Sequence, residues 1–146
     1  MNTQLAAKVL LVDDETEFIE LMSQRLETRG LTVVAVTSGE KAVSEIQDHS
    51  FDVAVVDLAM PGIDGIETLK QIKEKRDDIE VIMLTGQATV QSGIEAMKYG
   101  AIDFLEKPVD LTVLLEKIRQ AKKERMRVLE QKSAEEMKNI LKSKSW

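Results

Sequence analysis

The sequence predicts an α/β fold of five β-α units, (βα)₅, built as one doubly wound, five-stranded parallel sheet with helices on both faces. Three observations predict it. Short runs rich in Val, Ile and Leu alternate with stretches of helical apolar spacing. None of the runs alternates cleanly between apolar and polar residues, the pattern of strands buried on both faces. Third, the residues able to do chemistry stand just after the runs, and open parallel sheets bind ligands beyond the C-terminal ends of their strands.

In chain order, "KVLLV" at 8–12 is the first strand, and Phe18, Met22 and Leu26 mark the first helix, closed by Gly30. "TVVAV" at 32–36 is the second strand. Ser38-Gly39 then opens a helix carrying Ala42, Val43 and Ile46. "DVAVV" at 52–56 follows, and Asp64-Gly65 precedes the helix of Ile66, Leu69 and Ile72. "VIML" at 81–84 leads to the helix of Val90, Ile94 and Met97, closed by Gly100. A weaker "IDFL" at 102–105 precedes the helix of Leu111, Leu114, Leu115 and Ile118. Right-handed crossovers connect such units. Met22, Met83 and Met97 are read as core, and His49 as a surface loop residue.

Composition bounds the function. The 146 residues suffice for a real core, and the absence of cysteine excludes disulfides, thiolate metal sites and a cysteine nucleophile. One histidine argues against zinc. No apolar run approaches the roughly 18 residues of a membrane span, and the N-terminus lacks a signal peptide's pattern, so a soluble cytoplasmic protein with no membrane contact is expected. The net charge of −6 conceals an asymmetry: residues 1–116 hold 22 acids and 10 bases, residues 117–146 four and ten. An acidic body, placed at 1–122, and a basic helical tail, 123–146, are therefore expected to have different roles.

The strand ends carry the chemistry. Asp13, Asp14 and Glu15 follow the first strand, Asp57 the third, Thr85 the fourth, and Lys107-Pro108 the fifth. Taken singly each has an ordinary explanation: Asp57 a helix cap, Thr85 a cap or strand former, Lys107 a solvated lysine, Phe104 a core side chain. Taken together they place four acids, a hydroxyl and an ammonium on one edge of the sheet. Crowded carboxylates repel unless a cation compensates, and an oxygen-only set suits Mg²⁺. A carboxylate, a divalent cation, a hydroxyl and a lysine are the parts needed to put a phosphoryl group on an aspartate.

Over about residues 7–122 the sequence resembles the receiver domains of two-component response regulators. The resemblance rests on "LLVDDE", "VAVVDLAMPGIDG", "VIMLTG" and "GAIDFLEKP" in order and at matching spacing. It implies a flavodoxin-like fold and a phosphorylation-activated switch, not an enzyme with a separate substrate. By motif position Asp57 is the phosphoacceptor. Asp14, Asp57 and the backbone carbonyl of Ala59 ligate Mg²⁺, and Asp13 supports it through water. Thr85 is the switch hydroxyl, Lys107 the phosphate-contacting cation, Phe104 the aromatic switch, and the bond before Pro108 is cis. Phenylalanine at 104 keeps a packing switch but lacks a tyrosine's hydroxyl. Ala59 and Gln87, the positions that bear on phosphate lifetime, carry no charge. The phosphodonor is a histidine kinase or phosphotransfer protein.

The stretch "TGQATVQSGIEAMKYGAIDFLEKPVD" looks like receivers at the front of enhancer-binding transcription activators, whose ATPase and DNA-binding parts have no counterpart here. The chain is read as a stand-alone receiver acting on a downstream protein target. The tail has no Gly or Pro to stop a helix, and Met126, Leu129, Ser133, Met137 and Ile140 keep an interrupted apolar stripe. It is a solvated extension of the last helix, or a helix that docks a partner or forms a homodimer. No nucleic-acid reader fits into it, so no direct nucleic-acid contact is expected; Trp146 has no role in this reading. Two rivals remain: a degenerate receiver that only binds protein, and a haloacid-dehalogenase-like phosphatase. The second needs an acid two residues after the nucleophile, where this chain has Ala59.

Overall fold

A computed structural model describes residues 6–86 and 90–143; Gln87, Trp146 and the side chain of Val90 lie outside the described residues. The elements are β1 Lys8–Val12, α1 Thr16–Thr28, β2 Thr32–Val36, α2 Gly39–Asp48, β3 Val53–Asp57, α3 Gly65–Lys75, β4 Glu80–Thr85, α4 Val90–Lys98, β5 Asp103–Glu106 and α5 Leu111–Ser143. All strand pairs are parallel, and the order is β2-β1-β3-β4-β5. The order reverses between β1 and β3, so the crevice beyond their C-terminal ends lies between Val12 and Asp57.

Alternate strand residues point to opposite faces, so one sheet feeds two cores. Leu10, Val12, Ala54, Val56, Val81 and Met83 pack against α2, α3 and α4 through Ile46, Leu69, Ile72 and Ala96. Val9, Leu11, Val53, Val55, Ile82 and Leu84 pack against α1 and α5 through Met22, Leu26, Leu114 and Ile118. Each fully buried aliphatic side chain contributes about 1.5–3 kcal/mol, which favours this two-faced arrangement over a half-solvated sheet. Local signals set the helix limits. The side chains of Ser38 and Asp64 accept the backbone N–H of Lys41 and Glu67 as N-caps. Gly30 and Gly100 follow α1 and α4 with φ of 91° and 106°, a left-handed conformation that disfavours other residues.

Two expectations need correction. Burial on both faces holds for β1, β3 and β4, but β2 and β5 are only partly buried because they form the two edges. The stripe on α4 faces the wrong way for core: Ile94 is 63% exposed and Met97 48%. The body instead receives the small residues of that helix. Ala96 is buried, and a Cβ on Gly93 would come within 2.7 Å of the Phe104 ring. Close approach of α4 to β5 selects the small residues inward and leaves the larger ones to solvent.

The last helix runs unbroken through the boundary expected at 122. Beyond it, Arg125 reaches Asp52 at 2.9 Å and Asp78 at 3.0 Å, and Lys132 reaches Asp77 at 2.9 Å. Met137, Ile140 and Leu141 are exposed.

Candidate functional site

The site grows from β1 and β3, the two central strands. Their runs of Val and Leu are buried throughout, which fixes where each chain leaves the sheet. Asp13 is the first residue beyond β1 and is fully buried; its N–H donates to the Val36 carbonyl of neighbouring β2. Asp57 closes β3 and is 4% exposed. Directly after it the chain turns tightly, and Gly65 donates its N–H to the Leu58 carbonyl. A Cβ on Gly65 would lie 2.3 Å from the Asp57 carbonyl oxygen, so only glycine lets α3 start this close to the strand end.

Carboxylate oxygens of Asp13, Asp14 and Asp57 lie within 4.8 Å of one another. Asp14 is exposed and forms the open side of the cluster. Three carboxylates with no nitrogen or sulfur donor fit a hard divalent cation that retains waters. The Ala59 N–H donates to the Asp57 carboxylate. Burial, with Asp13 beside it, still pushes the Asp57 carboxyl up to about 6, against the pull of Lys107. An acid raised this far is a group whose charge the fold leaves under-compensated.

Lys107 enters from β5, through a cis peptide bond to Pro108. Its backbone N–H donates to the Thr85 carbonyl at 2.7 Å, so the ends of β4 and β5 are tied. Its ammonium lies 2.7 Å from Asp13 Oδ2, 2.9 Å from Glu15 Oε1 and 3.8 Å from Asp57 Oδ1. The two hydrogen bonds hold its pKa above the usual lysine value although burial pulls the other way. Thr85 is buried at the end of β4, one residue beyond Leu84, the register partner of Asp57. Asp13, Asp14, Asp57, Thr85 and Lys107 therefore converge as expected on the strand-end edge, with Ala59 exposed beside them. Phe104 sits apart on β5, half-buried, its ring against Gly93 of α4. Reading the chain placed Glu15 only among the strand-end acids and Phe18 only on the apolar face of α1, and gave Gly93 no role. Glu15 and Phe18 do touch the lysine, the Phe18 ring centroid lying 4.5 Å from Nζ. A signal was present in the i, i+3 spacing that puts both on one face of α1.

Residues 9–119 match the family model described as response regulator receiver domain. The chain is 38% identical over 127 residues to the C4-dicarboxylate transport transcriptional regulatory protein DctD of Pseudomonas aeruginosa, covering 86% of this chain and 27% of that one. It thus spans about a quarter of the length of such curated relatives. Among solved structures, a CheY-like receiver domain protein from Methanospirillum hungatei superposes with a TM-score of 0.80 at 28% identity, covering 84% of this chain and 98% of that one. The response regulator protein TrrA from Thermotoga maritima, in complex with Mg²⁺-BeF, superposes with a TM-score of 0.72 at 28% identity, covering 79% and 98%.

Proposed function

The chain belongs to the receiver domains of response regulators, and from that premise we propose that Asp57 is the residue that takes the phosphoryl group. Receivers are phosphorylation-activated switches of two-component systems. The observation that carries the assignment is the position of Asp57: buried at a central strand end, beside two further carboxylates, with Lys107 at 3.8 Å. An Asp57 carboxylate oxygen attacks phosphorus and forms the acyl phosphate. The bond from phosphorus to the donor breaks, and its electron pair leaves with the donor, the phosphohistidine of a kinase or phosphotransfer protein. Asp14, Asp57 and the Ala59 carbonyl would hold Mg²⁺, with Asp13 supporting through water. A bound Mg²⁺ supplies positive charge to the phosphoryl oxygens. Lys107 adds a second positive charge to the same oxygens, and buried Thr85 contacts one of them. Asp13 is committed to Lys107 and to the Glu15 N–H, which makes it a poorer nucleophile than Asp57.

Output is read through α4, β5 and α5. Phe104 against Gly93 joins β5 to α4, and the exposed Ile94 and Met97 on α4 offer apolar surface to a downstream protein. The chain acts as a switch with no separate substrate, and the body of 1–122 does the switching. The tail of 123–146 presents Met137, Ile140 and Leu141 for self-association; its removal lowers the oligomeric state in sedimentation velocity, and a monomer with and without it would refute that role.

Intact-mass measurement with acetyl phosphate tests the site. The parent gains one phosphoryl group in Mg²⁺ and none in chelator, Asp57→Asn gains none in either, and Asp14→Asn labels slowly. A full adduct on Asp57→Asn would overturn the assignment. A parent that takes no phosphoryl group from any donor would favour a module that only binds protein.

A further inference from the structure

Glu15 occupies the N-cap position of α1, where a short polar side chain ordinarily accepts a backbone N–H of the first turn. It makes no such side-chain bond. Its carboxylate reaches across to Lys107 instead, 92 positions away, at 2.9 Å. One turn further along the same helix face, the Phe18 ring lies 4.5 Å from the same ammonium. Asp13 takes a third approach at 2.7 Å. The ammonium is thus held on the α1 side of the cluster, and Asp57, at 3.8 Å, lies beyond hydrogen-bond range. Lys107 stands parked short of the group it serves.

We propose that Glu15 and Phe18 form a latch that retains Lys107 away from Asp57, and that this latch slows phosphoryl transfer. The proposal rests on the reading of Asp57 as phosphoacceptor and of Lys107 as the cation that neutralises the incoming group. A phosphoryl group at Asp57 must draw the ammonium about 1 Å inward from its present separation, toward the distance of a charge-assisted hydrogen bond. Asp13 need not release the ammonium for that movement, since it has a carboxylate oxygen within 4.8 Å of one on Asp57, a gap a single ammonium can bridge. Glu15 and Phe18 do oppose it, because both sit on α1 and must release their contacts. The Glu15 side chain is 65% exposed, which keeps its hold weak enough to break in each cycle. Glu15 is a positioning residue here: it acts on the reaction through Lys107.

The test follows Asp57 labelling of the full chain by acetyl phosphate in Mg²⁺, with initial rates read by intact mass. The transfer breaks the P–O bond to acetate and forms the acyl phosphate on Asp57. Glu15→Gln raises the rate about two- to fivefold, the size an exposed ion pair can supply. Glu15→Asp retains the charge but is one methylene shorter, and aspartate at an N-cap turns to the helix backbone. It therefore accelerates labelling as well, which a general repulsion of the anionic donor would not produce. Phe18→Leu accelerates labelling less. In a Lys107→Ala background all three gains vanish, the signature of action through the lysine. Equal rates for Glu15→Gln and an accepting parent would overturn the latch alone, as would a gain that survives in Lys107→Ala. A parent that accepts no phosphoryl group overturns the reading of Asp57 and the latch with it.

Discussion

The two ends of the sheet both gather acids around a single strong cation, and they use it differently. At the N-terminal edge the Arg125 guanidinium faces Asp52 and Asp78, with Ser50 at 3.4 Å. Asp52 offers one oxygen to Arg125 and the other to the Lys8 N–H. Asp78 Oδ2 is bridged by two guanidinium nitrogens. At the C-terminal edge Lys107 is a compact ammonium among Asp13, Glu15 and Asp57, and Asp14 completes the crowd. The planar fork of arginine satisfies two carboxylates at once and anchors a helix. A single ammonium among four carboxylates leaves negative charge over. The difference teaches how one fold separates structure from function. The end whose carboxylates are held by the arginine fork clamps the chain, and the more crowded acidic end keeps its charge under-compensated.

The largest effect on stability is expected at the clamp. Arg125→Ala leaves Asp52 and Asp78 facing each other, both largely shielded, and should cost about 2–4 kcal/mol, near the range for breaking a buried pair. Urea unfolding measures it. Phosphorylation of Asp57 in the folded variant should proceed at the parental rate, because the clamp is at the other end of every strand. A variant that loses labelling but keeps its stability would erase the distinction between the two ends.

The opposite sign is expected at the other end. In the folded chain Asp57 keeps its proton up to about pH 6, against 3.8 for an ordinary aspartate. Between those values the native state binds more protons than the unfolded one, so stability falls as pH rises through that window and stays reduced above it. Asp57→Asn removes the penalty. In chelator at pH 7.5 it should be more stable than the parent by about 1–3 kcal/mol, an order-of-magnitude figure from roughly 1.36 kcal/mol per pKa unit. Well below pH 3.8 the two should coincide. A less stable Asp57→Asn at pH 7.5 would show the cluster to be well compensated and the contrast false.

The smallest effect sharpens where the clamp ends. Lys132 pairs with Asp77, but both side chains are at least half exposed. Lys132→Ala should leave the urea midpoint where it was, and the helix beyond Arg125 should exchange its amide protons early. A midpoint shift comparable with that of Arg125→Ala would extend the clamp to the tail.

Much of this molecule was legible along the chain. The strands, the caps at Ser38 and Asp64, the glycine stops at 30 and 100 and the acids at the strand ends follow from signals contained within a few residues. That is so because strand period, helix period and capping act over one turn or less. Asp13, Asp14, Asp57, Thr85 and Lys107 could be gathered on paper because a parallel sheet places all its strand ends on one edge. Which residues actually meet there was decided by tertiary packing. Glu15 and Lys107 stand 92 positions apart, Arg125 and Asp52 stand 73 apart, and no local pattern announces either pair. The α4 stripe shows the same division: periodicity found Ile94 and Met97 on one face, but the approach of Phe104 to Gly93 turned that face outward. Strand order likewise left β2 and β5 half-covered at the edges. A sequence specifies the faces of its elements over short range, whereas the partner of each face depends on how the elements dock, and here docking sets both the clamp and the parked lysine.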